Sequence, residues 1–67
     1  MKKIMKIKKL RKAAGLSVQQ LADLLGVYET EVHSWENEIY LPKARLLPAI
    51  AKVFGCTIDE LYEQEVA

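Results

Sequence analysis

The side chains of this 67-residue chain that could do covalent or acid–base chemistry are too few to make a catalytic set. One cysteine, Cys56, and one histidine, His33, argue against a disulfide framework, a Cys/His metal cluster and a thiol–imidazole pair. There is no Ser/His/Asp arrangement and no phosphate-cradling glycine loop, and so short a chain leaves little room for a substrate pocket. Neither an enzyme nor a bound cofactor is expected. What remains is charge and hydrogen bonding, and both are unevenly placed. Lys2, Lys3, Lys6, Lys8, Lys9, Arg11 and Lys12 give residues 1–12 seven positive charges and no negative one. From residue 13 onward three basic residues face nine acidic ones, a net of −6. A basic leading segment ahead of an acidic body suits a polyanion partner at one end, although a solvated face that keeps a small protein soluble explains it as simply.

Those groups must be positioned by helices, because no stretch alternates apolar and polar residues over the length of a strand. With 51% hydrophobic and 28% charged residues the composition is that of a folded domain. No segment is long and apolar enough to span a membrane and the lysine-rich start leads into no signal-like apolar run, so a cytoplasmic protein is expected. Ile4, Ile7, Leu10 and Ala14 make the buried stripe of a first helix that ends at Gly15. Ser17 and Gln20 form a capping box opening a second helix, with Val18, Leu21, Ala22 and Leu25 inward and Gly26 as its stop. A third helix buries Val32 and Trp35; Tyr28 stands where a capping acceptor belongs, and Glu29 and Glu31 offset that through the helix dipole. After a loop over Asn37 to Leu41 closed by Pro42, a fourth helix carries Leu46, Leu47, Ile50, Val53 and Phe54 to Gly55. Pro48 restricts its regular part to Leu46 or Leu47 onward, with a looser turn over Lys43 to Arg45. Thr57 and Glu60 form a second capping box and open a fifth helix with Ile58, Leu61 and Tyr62. Trp35 and Tyr62 are expected in the core, Cys56 as a small buried hydrophobe, and Tyr40 and Leu41 on the surface unless they pack on Trp35 or meet a partner.

The informative stretch is Ser17 to Trp35: cap, two-turn helix, Gly26, three-residue turn, second helix. Ala22 lets the two helices approach, and a helix–turn–helix of this shape projects its second helix where it fits the major groove of DNA. Leu10-Arg11, Leu16-Ser17, Leu21-Ala22, Leu25-Gly26-Val27, Val32, Trp35-Glu36 and Pro42 stand in the pattern, which Leu47, Ile50-Ala51, Phe54-Gly55 and Ile58-Asp59-Glu60-Leu61 continue. In these residues, over about 4–62, the chain resembles the Cro/lambda-repressor (XRE) type of helix-turn-helix domain. The expectation is one all-α domain over 1–67, a compact five-helix lambda-repressor-like fold with its helix-turn-helix at about 17–36.

The resemblance implies roles for particular residues. Arg11 and Glu36 are expected to form a largely buried ion pair whose loss would be expensive. Phosphate contacts fall to Ser17 and Gln19 at the start of the second helix and to Asn37, Lys43 and Arg45 after the third. Where the family often has Gln as the first residue of the second helix, this sequence has Val18 and lacks that side-chain clamp. Base reading falls to Tyr28, Glu29, Thr30 and Ser34, with His33 on the flank, although His33 is also explained as a solvated helix residue. Glu29 can accept from cytosine N4, and the Thr30 methyl can meet that of thymine. No Arg, Lys, Gln or Asn lies between Tyr28 and Glu36, so the usual guanine and adenine readers are missing, and Glu31 and Glu38 would repel phosphates unless turned away.

The function implied is a repressor-like transcriptional regulator that binds a palindromic operator in double-stranded DNA as a dimer; Leu61, Tyr62 and Val66 of the last helix are the candidate pairing surface, and a capping helix on a monomer explains them equally well. The acidic third helix keeps a second reading open, a protein-interaction module that retains the fold without reading DNA.

Overall fold

In the computed structural model, which describes residues 2–65, the order is β1 (Lys2–Met5), α1 (Ile7–Ala13), α2 (Val18–Leu25), α3 (Glu29–Glu36), α4 (Leu47–Phe54) and β2 (Tyr62–Glu65). Single 3-10 turns occupy Ala44–Leu46 and Asp59–Leu61. All four helices stop in the same way. A residue with positive φ follows each (Gly15, Gly26, Glu38, Gly55), and the next N–H donates to a carbonyl five residues back. These closures are Leu16 to Arg11, Val27 to Ala22, Ile39 to Ser34 and Cys56 to Ala51, at 2.9–3.0 Å. They satisfy carbonyls that a helix end would otherwise leave open. At Gly26, φ of 69° turns the chain from α2 into the helix-turn-helix corner at no steric cost. Glu38 adopts φ of 57° without that freedom.

One apolar core joins the elements. Ile7, Leu21, Ala22, Val32, Trp35, Ile50, Ala51 and Leu61 are all buried, and Leu10, Val18, Leu25, Leu47, Phe54, Cys56 and Tyr62 pack around them half-covered. One inward stripe each from α1, α2, α3 and α4 therefore meets at a common centre, as the 3.6-residue period requires. Pro48 is the second residue of α4, where its missing N–H has no helical partner to lose. Ile39, Tyr40 and Leu41 remain exposed, at 69%, 53% and 66%, beside a shallow groove that Trp35, Ile4 and Met5 also line. No helix among the described residues is long and apolar enough to cross a membrane.

Two expectations are corrected. The first helix begins at Ile7, not near Ile4, because residues 2–5 pair as a strand with residues 62–65. The register sets Ile4 opposite Glu63 and Met5 opposite Tyr62, and the Lys6 N–H donates to the Leu61 carbonyl at 2.8 Å. Nor is there a fifth α-helix among the described residues, which form four helices and a two-stranded antiparallel sheet rather than five helices. The Thr57–Glu60 capping box is present, with Thr57 N–H to Glu60 Oε1 at 2.8 Å and Glu60 N–H to Thr57 Oγ1 at 3.2 Å. It closes a single 3-10 turn. At Tyr62 the backbone becomes extended (φ −111°, ψ 153°) to join β1, and Ile58 is left 40% exposed. A surface for pairing two copies through a last helix is lost with that helix. Leu61 is wholly buried, Tyr62 lies half-buried in β2, and Val66 lies outside the described residues.

Candidate nucleic-acid interface

At the start of α2, Ser17 Oγ accepts from the Gln20 N–H at 3.0 Å and Gln20 Oε1 accepts from the Ser17 N–H at 2.8 Å. Gln20 is thereby occupied, and the first helical bond runs from Leu21 to Ser17. The N–H groups of Val18 and Gln19 have no partner among the described residues. They leave α2 at the positive end of its dipole, a setting that attracts an anion. Gln19 and Ser17 are exposed there.

Across the corner, Tyr28 precedes α3 with its ring 80% exposed and offers the helix no side-chain acceptor. Glu31 compensates. Its carboxylate reaches back to the Tyr28 N–H at 3.0 Å, so this charge is turned onto the start of its own helix. Glu29, Thr30, His33 and Asn37 are exposed and recur at the three- and four-residue spacing of one helix face. Ser34 is half-buried, and its hydroxyl donates to the Thr30 carbonyl at 2.9 Å, which leaves only its lone pairs to offer. The outward strip of α3 is thus Tyr28, Glu29, Thr30 and His33, with Asn37 at its end and Ser34 recessed. Lys43 and Arg45 are exposed on the turn that leads into α4.

Arg11 holds this arrangement together. Its Nε donates to Glu36 Oε2 at 2.6 Å, its Nη2 to Glu36 Oε1 at 3.1 Å, and its Nη1 to the Leu16 carbonyl at 2.9 Å. The side chains of the pair are 11% and 6% exposed. One guanidinium on α1 therefore fixes the end of α3 and the residue before the α2 cap at once. Donation to the Glu36 carboxylate drives the Arg11 pKa above its ordinary value, against the opposing effect of burial. The planar fork suits a two-toothed carboxylate contact that lysine could not reproduce. The contact to Leu16 has no sequence signature, since a main-chain carbonyl is the same at every residue. The role of Glu31 was open to discovery from its spacing three residues after Tyr28.

A family described as Helix-turn-helix matches residues 7–61, most of the chain. The chain belongs to the Cro/lambda-repressor (XRE) type of helix-turn-helix DNA-binding domains. Within this family it is 38% identical over 60 residues to the HTH-type transcriptional activator BcrR of Enterococcus faecalis, a match covering 90% of this chain and 29% of that relative. A crystal structure of a transcriptional regulator from Listeria innocua superposes with a TM-score of 0.77 at 31% identity, covering 96% of this chain and 65% of that one. The chain thus spans under a third of the length of the Enterococcus relative and about two thirds of the Listeria chain. What the Listeria structure shares with this chain is the fold over nearly all of its length.

Proposed function

We propose that this chain is a DNA-binding transcriptional regulator that lays the outward strip of α3 into the major groove. The observation carrying the reading is that Tyr28, Glu29, Thr30 and His33 stand exposed on one projecting element, while Arg11 locks that element to the start of α2. In this reading Ser17, Gln19 and the open N–H groups of α2 hold one phosphate run, and Asn37, Lys43 and Arg45 hold another. Thr30 and Glu29 discriminate by methyl contact with thymine and acceptance from cytosine N4, and Ser34 contributes an acceptor from its recessed position.

A single small domain makes few base contacts, so we further propose a pseudo-palindromic operator bound by two copies, with half-sites about one helical turn apart. The regulation proposed is repressor-like, with the occupied operator excluding other proteins from the same DNA. The alternative of a protein-interaction module with an acidic third helix is weakened because two of the four carboxylates from Glu29 to Glu38 serve the fold: Glu31 caps α3 and Glu36 pairs with Arg11.

The test is the Thr30→Ala, Ser34→Ala double variant in a mobility-shift assay with a bound duplex and its scrambled counterpart. Both side chains lie outside the core, so helical circular dichroism should be kept while the preference between duplexes collapses. Undiminished preference in the folded variant contradicts the assignment of α3 as the reader.

A further inference from the structure

The lysines of α1 take no part in the interface described above, yet they hold three of the chain's ten Lys and Arg charges. Resting on the reading that α3 enters duplex DNA, we propose that Lys8 and Lys12 form a second phosphate-binding strip, so that the duplex is held along α1 as well as by the elements around α3.

The argument begins with a shortage. Beside α3, the uncommitted carboxylates Glu29 and Glu38 cancel Lys43 and Arg45, and a neutral surface gains little from displacing the counterions of DNA. The cations must come from elsewhere. Lys8, Lys9 and Lys12 are exposed on α1. Lys9 is already bound to Glu63, at 2.9 and 3.0 Å to its two oxygens. Lys8 and Lys12 have no hydrogen-bond or ion-pair partner among the described residues, and they lie one helical turn apart on one face.

Their location decides what they meet. Both line a surface concavity of about 290 Å³ together with Glu36 and Glu38, the last residue of α3 and the turn that follows it. The free ammonium groups therefore flank the exit of the helix proposed to lie in the groove, where a sugar–phosphate strand leaves that groove. Arg11, between them in sequence, is pinned to Glu36, which fixes the strip relative to α3. Glu38 in the same concavity opposes the attraction, and the lysine–phosphate contacts themselves weaken as salt rises. Phosphate contacts of this kind add affinity without sequence information.

The experiment is the salt dependence of binding to an operator duplex for the wild type, Lys8→Ala/Lys12→Ala and Lys52→Ala, an exposed lysine of α4. Alanine favours helix, so α1 should persist in the double variant. Loss of two phosphate contacts lowers the slope of log K against log salt by about 1.8 and weakens binding at low salt by roughly tenfold or more. The ratio between operator and scrambled duplex should stay as it was, and Lys52→Ala should keep the full slope. A double variant with unchanged slope, or an equal loss in Lys52→Ala, overturns the strip while leaving the α3 reading intact. A wild type that shifts no duplex but binds phosphatidylserine vesicles overturns both, because α1 then serves a membrane surface.

Discussion

Arg11 shows how one side chain can set the geometry of an interface it need not touch. It bridges Glu36 and the Leu16 carbonyl from a nearly closed position, so removing it leaves a carboxylate with little solvent and no counter-charge. Arg11→Met should cost about 3–5 kcal/mol in urea denaturation, a large share of what a small domain possesses. Arg11→Met combined with Glu36→Leu should recover most of that loss. A cost below about 1 kcal/mol for the single change would mean that the pair behaves as a surface contact. The pairing was legible through the family pattern, because both residues sit at its characteristic positions. The Leu16 contact was not, since nothing about residue 16 itself announces a main-chain acceptor. Nor does residue type alone reveal which α3 carboxylates are free; that depends on Glu31 folding back and Glu36 being claimed.

Among the elements, the turn after α3 is the one at odds with its equivalents. Three helices close on glycine and this one closes on Glu38, whose Cβ makes the left-handed backbone unfavourable. Glu38→Gly should therefore stabilise the fold by about 1 kcal/mol and, by removing a carboxylate from the exit of α3, tighten any duplex held there. Equilibrium unfolding and a binding isotherm on the same variant check the two effects separately. The Thr57–Glu60 turn carries a pH signature. Bonding to Thr57, chiefly to its main-chain N–H, holds the Glu60 carboxyl below its ordinary 4.5. A depressed carboxyl lends stability that is complete above that value and fades as the pH falls through the lower folded value. Glu60→Gln should accordingly lower the melting temperature near neutrality and flatten its decline below pH 4.5. An acid limb of unaltered steepness would contradict the role given to that bond.

The helix starts and stops were readable from Ser17, Gly26, Pro48 and Gly55 because caps act over a few residues. The strands were not. Ile4 and Ile7, and Ile58 with Leu61 and Tyr62, carry spacings that suit a helix turn. What makes their neighbours extended is a partner at the opposite end of the chain, Met5 against Tyr62, and a local window contains no trace of that pairing.

At the scale of the whole molecule, the fold turns a sequence asymmetry into a spatial one. The net charge of +1 conceals a basic α1 and an acidic remainder, and the sheet and the Lys9–Glu63 pair fasten the first of these to the second. Residues 2–5 and 62–65 meet in β1 and β2, so the helix-turn-helix is carried on a core closed by the two outermost described segments. Buried Leu61 is not available to pair two copies, and a sedimentation measurement with and without duplex would show whether pairing precedes binding. The central claim, that α3 reads base edges despite carrying carboxylates, is tested most directly by selecting bound duplexes from a random pool at moderate salt. The account predicts enrichment of a defined motif rich in cytosine and thymine contacts, repeated as two half-sites about 34 Å apart. A folded protein that enriches no sequence above the starting pool would contradict it.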